Sequence, residues 1–431
     1  MSCALWFSPV PPARTDIAQY SARVVPHLRK LIDLKVVCPD PVQAGSPWDN
    51  QDLDSREAGS LTMRDLNVSG LSLYNIGNNP VFHGQILRAS MRHPGIVILH
   101  DRALQDLCHA VLDDACADGE SDSFYQAAMS HWYGRAGRDA ARAARVGDVA
   151  VSSLAHDFPL FEVALQGALG AVTHNSEVGA EIADRFPGMP IATLPLPYSP
   201  SITGGQSGSV LRQDQSIRLV MFGYLNPNRR LGEFLRTWAQ SPWRARFELD
   251  LAGEMNNGPE IEAVIAEMGL GAQVRSHGFL PDNQLDALIG QAHLALNLRN
   301  PTMGEASGSQ LRIWANGTAS VVSDTGWYRQ LPQGSVLRVS TQNEHSDLLT
   351  LLENLAECRI DLAAIARRGG ECLAAGDPAT YSVSLAEWLT CGMEAMFTRW
   401  TETALIEATA RAYALSTPRQ FVPRLPARLL V

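Results

Sequence analysis

Short apolar runs alternate with amphipathic stretches of helical length along most of the chain. In the first half, CALWFS, LKVVCP, LSLYNIG, GIVILHD, GAVTHN and IATLPLP have the length and β-branched content of buried strands. Between them, segments such as DIAQYSARVVPHLRKL and NSEVGAEIADRF repeat apolar positions at helical spacing. Strands and helices in alternation predict α/β layers around a parallel sheet. The stretch from about Asp113 to Gly147 is polar and rich in Ala and Arg, and reads as a helical excursion beside that sheet.

The alternation stops at YSPSITGGQSGSVLRQDQS, residues 198 to 216, where Pro, Ser and Gly dominate and no apolar period survives. It then restarts with IRLVMFG, FELDLAG, VRSHGF, LALNLR and SVVSD, separated by helices expected to begin near Arg229, Pro259, Pro281 and Ser307. The pattern therefore predicts an α/β domain over residues 1–198, a linker over 199–216 and a second α/β domain over 217–380. Residues 381–431 hold a helical segment, SVSLAEWLTCGMEAMFTRW, and a Pro/Arg tail without periodicity. In parallel sheets of this kind ligands bind beyond the carboxyl ends of the strands, which directs attention to strand-ending polar residues.

Composition narrows the classes. The 431 residues are 45% hydrophobic and 19% charged, as in ordinary globular proteins. A formal net charge of −10 with only two lysines, Lys30 and Lys35, argues against a general nucleic-acid binder. The seven cysteines are scattered without a CxxC pair, which fits free thiols in a reducing compartment better than a metal site. Neither a secretory leader nor a run of the ~18–20 apolar residues needed for a span is evident, so a cytoplasmic protein is expected.

Three segments could carry chemistry. In RNPTMGEASGSQLRIWANG, residues 299 to 317, a strand ends before Pro301 and a helix is expected from Ser307, an N-cap residue, to Gly317. The free amides at such a helix start suit a phosphate, and the neighbouring Glu305 could accept hydrogen bonds from sugar hydroxyls. A plain loop with a capped helix is the alternative. In FGYLNPNRRLGEFLRTW, Gly223 ends a strand and Arg229–Arg230 open a helix, two guanidiniums able to bind phosphate or merely to be solvated. In GIVILHD, His100 and Asp101 close an apolar strand, where the imidazole could stabilise charge or donate to a substrate.

Together with WFSPVPPARTDIAQYS and YNIGNNPVFHGQILRASMRHPGIVILHD, these segments resemble the GT-B glycosyltransferases, specifically the family 4 retaining enzymes of bacterial surface-polysaccharide synthesis. The resemblance runs in order up to about residue 395. It implies two Rossmann-like domains facing across a deep cleft, with a C-terminal helix crossing back to the first. It also implies a nucleotide-diphosphate sugar of UDP or GDP type, held mainly by the second domain, and a glycan or lipid-linked acceptor. Neither a cofactor nor a bound metal is required, and a lipid-linked acceptor would be compatible with peripheral membrane association. On this resemblance Glu305 matches the first acidic position of a Glu-x7-Glu motif and Arg229 or Arg230 the basic position at the diphosphate. His100 matches the first-domain histidine near the sugar, while Gly223, Ser307, Gly308 and Ser309 surround the phosphates.

Three positions depart from the family pattern. Arg312 stands where a second acidic residue is expected at the ribose. Tyr224 and Leu225 replace the usual arginine after Gly223. Thr15–Asp16 occupies the first-domain loop where relatives carry glycine, and Asp16 could alternatively N-cap the following helix. Asp16 and the missing ribose carboxylate leave open a non-catalytic GT-B scaffold that binds a nucleotide sugar or partner. A GT-B sugar-nucleotide epimerase or phosphorylase is a third alternative, which the TMGEASGSQLRIWANG segment fits less well.

Overall fold

The computed structural model describes residues 3–39, 56–57, 61–68, 70–113, 123–199, 211–255, 257–374, 376–399 and 401. Residues 200–210 of the expected linker and 402–431 of the expected tail lie outside the described residues, as does Cys116. The chain divides into two compact units. Unit 1 comprises Met1–Pro197, Met303–Glu305 and the described residues from Pro378 onward; unit 2 comprises Tyr198–Thr302 and Ala306–Asp377.

Unit 1 is built on seven strands: β1 (Ala4–Phe7), β2 (Leu34–Cys38), β3 (Arg56–Glu57), β4 (Leu71–Ile76), β5 (Ile96–Leu99), β6 (Gly170–Thr173) and β7 (Ile191–Thr193). All pair in parallel in the order β3-β2-β1-β4-β5-β6-β7. The order reverses between β1 and β4, the kind of switch point beyond which ligands bind in sheets of this type. Both faces are buried: Val97 and Leu99 of β5 join one core, while Ile96 and Ile98 join the other. This is why the strands read as continuous apolar runs rather than alternating ones. Each such side chain contributes about 1.5–3 kcal/mol when fully removed from water.

Helix Asp16–Leu28 covers one face because Ile17, Tyr20, Val24, Val25 and Leu28 recur at helical spacing and are all buried. Its N-cap is Thr15, whose hydroxyl accepts the Ile17 N–H, so Asp16 is a first-turn residue and not the cap considered from sequence. Helix Pro378–Cys391 packs on this helix, with the Tyr20 and Tyr381 hydroxyls 2.6 Å apart. It begins four residues before the expected apolar segment, since Pro is well tolerated in the first turn. Helix Gln105–Asp113 precedes the expected excursion, which contains helix Phe124–Arg145, interrupted at Gly134, whose φ is 62°.

Unit 2 carries β8 (Ile217–Tyr224), β9 (Phe247–Glu254), β10 (Val274–Ser276), β11 (Leu294–Asn297), β12 (Ala319–Ser323) and β13 (Leu337–Val339), parallel and ordered β10-β9-β8-β11-β12-β13. The reversal between β8 and β11 repeats the topology of unit 1. Helices begin at Leu231, Gly258, Asp282 and Gly308, close to the starts expected from the sequence. The short strands β3 and β13 were not anticipated. Among the described residues no helix is long and apolar enough to cross a membrane.

Candidate active site

In unit 2 the polar groups gather at the carboxyl ends of β8, β9 and β11. Gly223 and Gly253, each the next-to-last residue of its strand, pair in close approach. Gly253 has φ of 128°, and a Cβ there would lie 2.0 Å from the Gly223 carbonyl oxygen, so no larger residue fits without displacing the strand end. The chain then makes a short turn, Pro227–Arg229, and Arg230 takes a left-handed conformation (φ 61°) before helix Leu231–Gln240 begins. That kink sends two adjacent arginines in different directions.

Arg229 turns inward and is only 1% exposed. Its guanidinium donates to Asn297 Oδ1 at 3.0 Å and to the Phe222 carbonyl at 2.8 Å. Asn297, the last residue of β11, donates its Nδ2 to Gln310 Oε1 at 3.0 Å. Gln310 donates onward to the Ser320 hydroxyl, and its backbone N–H is capped by Ser307 Oγ at 3.1 Å. A buried polar chain thus joins the Arg229 cation to the N-terminus of helix Gly308–Ala315. The amides of Gly308 and Ser309 in that first turn have no partner within the helix, by the geometry of any helix start. Ser309 Oγ lies 4.0 Å from the position a Gly223 Cβ would take, so Gly223, Ser307, Gly308 and Ser309 share one place.

Arg230 and Arg312 are used elsewhere. Arg230 pairs with Glu344 at 2.7 Å and Glu233 at 3.1 Å, joining the start of its helix to helix Glu344–Ala356. Arg312 bonds Asp286 at 2.7 Å and Asp282 at 2.9 Å, which fastens its helix to helix Asp282–Gln291. The spacing also corrects the motif assignment. Six residues separate Glu305 from Arg312, so the two cannot both occupy the acidic positions of a Glu-x7-Glu motif. Trp327 and Tyr328, which follow β12, are buried in packing.

In unit 1 the corresponding groups end β4, β5 and β6. His100 follows β5, and its ring lies edge-on to Tyr20 with centroids 4.7 Å apart, and 5.2 Å from His174. Its Nε2 is 3.0 Å from Asn75 Oδ1, and Asn75 Nδ2 donates to the Phe7 carbonyl at 3.0 Å. His83 and His174 each place Nδ1 3.0 Å from a backbone carbonyl, of Asn75 and Leu194 respectively. Burial lowers both to about 4, since a dry site penalises the imidazolium. Burial, then the neighbouring His174 and His83, hold His100 well below the ordinary histidine value. All three imidazoles are neutral near pH 7.

Glu305, which belongs to unit 1, turns one carboxylate oxygen back to accept the Met303 N–H at 2.9 Å. Thr15 and the exposed Asp16 sit at the helix start after β1. The sequence reading missed Asn75, His174, Asn297 and Gln310. Two of these carried a signal: Asn75 and Asn297 are amides inside apolar strand runs, LSLYNI and LALN, where a buried polar residue needs partners.

No protein-family model and no curated protein sequence matches the chain. Solved structures do. The chain is similar to HepE (Alr3699) of Anabaena in complex with UDP, with a TM-score of 0.58 at 15% identity, covering 91% of this chain and 100% of that one. It is similar to the lipopolysaccharide outer core galactosyltransferase WaaB, with a TM-score of 0.57 at 10% identity, over 91% and 99% of the two chains. Sucrose-phosphate synthase from Thermosynechococcus elongatus gives a TM-score of 0.57 at 13% identity, over 92% and 100%. At such identities the likeness concerns architecture, and the architecture of this chain is the GT-B fold.

Proposed function

We propose that the protein is a retaining glycosyltransferase that moves a sugar from a nucleoside diphosphate carrier to a glycan or lipid-linked acceptor. The observation that carries this reading is the junction in unit 2, where the Arg229 cation and the N-terminus of helix Gly308–Ala315 are tied to the same Asn297 side chain. Two fixed sources of positive potential at one strand end suit a diphosphate in the ground state and as a leaving group. Because Arg229 is buried and spent on Asn297 and Phe222, its part is to supply field and hold Asn297. Direct contacts fall to the Gly308 and Ser309 amides and the Ser309 hydroxyl.

The bound UDP of HepE and the galactosyltransferase activity named for WaaB support a nucleotide-sugar donor by analogy of fold. In this reading Glu305 accepts hydrogen bonds from the donor sugar, and His100 stands beside the reacting centre. The acceptor oxygen bonds to the anomeric carbon as the bond to the diphosphate breaks, with the electron pair leaving on the diphosphate and the acceptor's proton passing to it. Charge stabilisation and positioning would be the protein's main contribution. Arg230 and Arg312, committed to carboxylates, are left out of the donor site.

Calorimetry with UDP and GDP, followed by assay of diphosphate release from UDP-glucose, UDP-galactose and GDP-mannose, tests the proposal. Turnover by the wild type and its loss in Glu305→Ala are expected, and proton NMR of the product should show the donor's anomeric configuration retained. Nucleotide binding with no turnover of any donor would favour a non-catalytic scaffold. No binding at millimolar nucleotide would remove the basis for the reading.

A further inference from the structure

Asn175 is the N-cap of helix Ser176–Arg185, and its Oδ1 accepts the Glu177 N–H at 3.0 Å. Serine, threonine or aspartate would cap that helix as well. Asn175 does something those residues could not do together with the cap. Its Nδ2 donates to the Gly304 carbonyl at 3.0 Å, in a contact where the side chain is 2% exposed. An amide is the one common capping group that presents an acceptor and an NH2 donor on opposite arms. The partners fix which arm is which, since a backbone N–H needs the oxygen and a carbonyl needs the nitrogen.

The Gly304 loop is held from its other side by the residues after β5. The N–H groups of Arg102 and Ala103 both donate to the Met303 carbonyl, at 3.1 and 3.2 Å. Gly304 has φ of 78°, and a Cβ there would lie 2.5 Å from Arg102 Cβ, so the loop runs flush against that residue. Arg102 in turn forms a two-pronged pair with Glu181, at 2.5 and 2.8 Å. Glu181 belongs to the helix that Asn175 caps. Met303 and Gly304 are therefore gripped by two arms anchored on one helix. The next residue is Glu305, whose carboxylate accepts the N–H of Met303.

We propose that Asn175 is a positioning residue for Glu305, acting through the Gly304 carbonyl, and that the cap and the loop clamp are one device. The inference rests on the glycosyltransferase reading for its catalytic consequence and on geometry alone for its structural one. Losing the clamp leaves Glu305 attached but imprecisely aimed, a fault that lowers turnover more than affinity.

The test compares Asn175→Ser and Asn175→Asp with wild type. Both variants keep a capping oxygen, and Asp also removes the donor by placing a carboxylate against the carbonyl. Hydrogen exchange of the free protein, read by mass spectrometry, should show amides 303–306 exchanging about tenfold faster, as expected for one buried hydrogen bond. Exchange in Ser176–Arg185 should be unchanged in Asn175→Asp. With the donor that wild type turns over, kcat should fall about 10- to 100-fold while KM moves little. Unchanged loop exchange in Asn175→Asp overturns the clamp, and a looser loop with unchanged kcat overturns the positioning role. If Asn175→Ser also loosens the helix, the Asp variant decides alone. Should wild type turn over no nucleotide sugar, the functional reading falls, and the exchange result still decides the clamp.

Discussion

His100 and Asn75 share a hydrogen bond of 3.0 Å whose direction is fixed by a third residue. Asn75 spends its amide nitrogen on the Phe7 carbonyl, so its oxygen faces the imidazole and His100 must donate from Nε2. The ring is neutral because burial, with His174 and His83 nearby, disfavours its charge. His100 therefore presents an unprotonated Nδ1, a hydrogen-bond acceptor, whereas the sequence left open that it donates or stabilises charge. Nitrogen NMR of the imidazole at pH 7 should report the Nε2–H tautomer. Asn75→Asp should raise the His100 pKa, since a carboxylate favours the imidazolium. A cationic His100 in the wild type would refute the assignment.

Histidines buried neutral make stability depend on pH in a known direction. His83 and His174 are lowered by burial to about 4, below the value of an unfolded histidine, so the unfolded chain binds more protons below about pH 6.5. Stability is full above that range and falls as pH drops from about 6.5 toward 4. One such site contributes about 3 kcal/mol over the window if its shift is fully realised. Urea midpoints between pH 7.5 and 4.5 measure the slope. His83→Asn, which keeps a donor near the Asn75 carbonyl and cannot titrate, should flatten it. An unchanged slope would show that other groups dominate the acid side.

Arg229 tests whether a buried cation is structural, electrostatic or both. Arg229→Met leaves Asn297 Oδ1 and the Phe222 carbonyl without their donors in a dry site. A loss of about 2–5 kcal/mol in denaturant unfolding is expected. UDP affinity should also fall in the variant at temperatures where it remains folded. Arg230→Met should also cost stability, because its partner Glu344 is only 10% exposed and loses its cation, but it should leave UDP affinity near that of wild type. Equal losses of nucleotide affinity in the two variants would contradict the separate fates of the two arginines.

This pair also marks where sequence reasoning ends. Among the described residues eleven of the thirteen strands were legible in the sequence, mostly as apolar runs because parallel sheets covered on both faces select them, while β3 and β13 were not. The position of Ser307 as N-cap was legible because capping is a local hydrogen bond. Adjacent arginines in NPNRRLG gave no hint that one would be 1% exposed and the other, partly exposed, paired with a buried Glu344. That difference comes from a left-handed Arg230 and from an asparagine 68 residues downstream, a tertiary relationship without a local signature. Asn175 escaped notice for the same reason: its cap is local, but its second hydrogen bond spans 129 residues.

Arg312 offers a converse case, a residue singled out for donor binding whose side chain serves packing between helices. Its pairs with Asp282 and Asp286 bridge the two helices, and Asp286 also accepts from Asn316 at 3.0 Å. Arg312→Met should cost about 1–3 kcal/mol, part of it from leaving a half-buried Asp286 short of a donor. Nucleotide affinity, measured by calorimetry, should be unaltered. A selective loss of affinity without loss of stability would return Arg312 to the donor site.

Thr15 and Asp16 separate stability from function at the helix that follows β1. Thr15 supplies the cap, so Thr15→Ala should cost about 1 kcal/mol. Asp16 is exposed in the first turn, where its charge complements the helix dipole, and Asp16→Gly should cost about 0.5–1.5 kcal/mol in dipole and propensity together. Removing this carboxylate also removes a negative charge from the start of the helix after β1. In the glycosyltransferase reading, turnover by Asp16→Gly should therefore equal or exceed that of wild type once both are assayed well below their unfolding temperatures. A collapse of turnover with intact folding would assign Asp16 an active role at the donor or acceptor, and thermal melts run beside the assay distinguish that outcome from simple loss of the helix start.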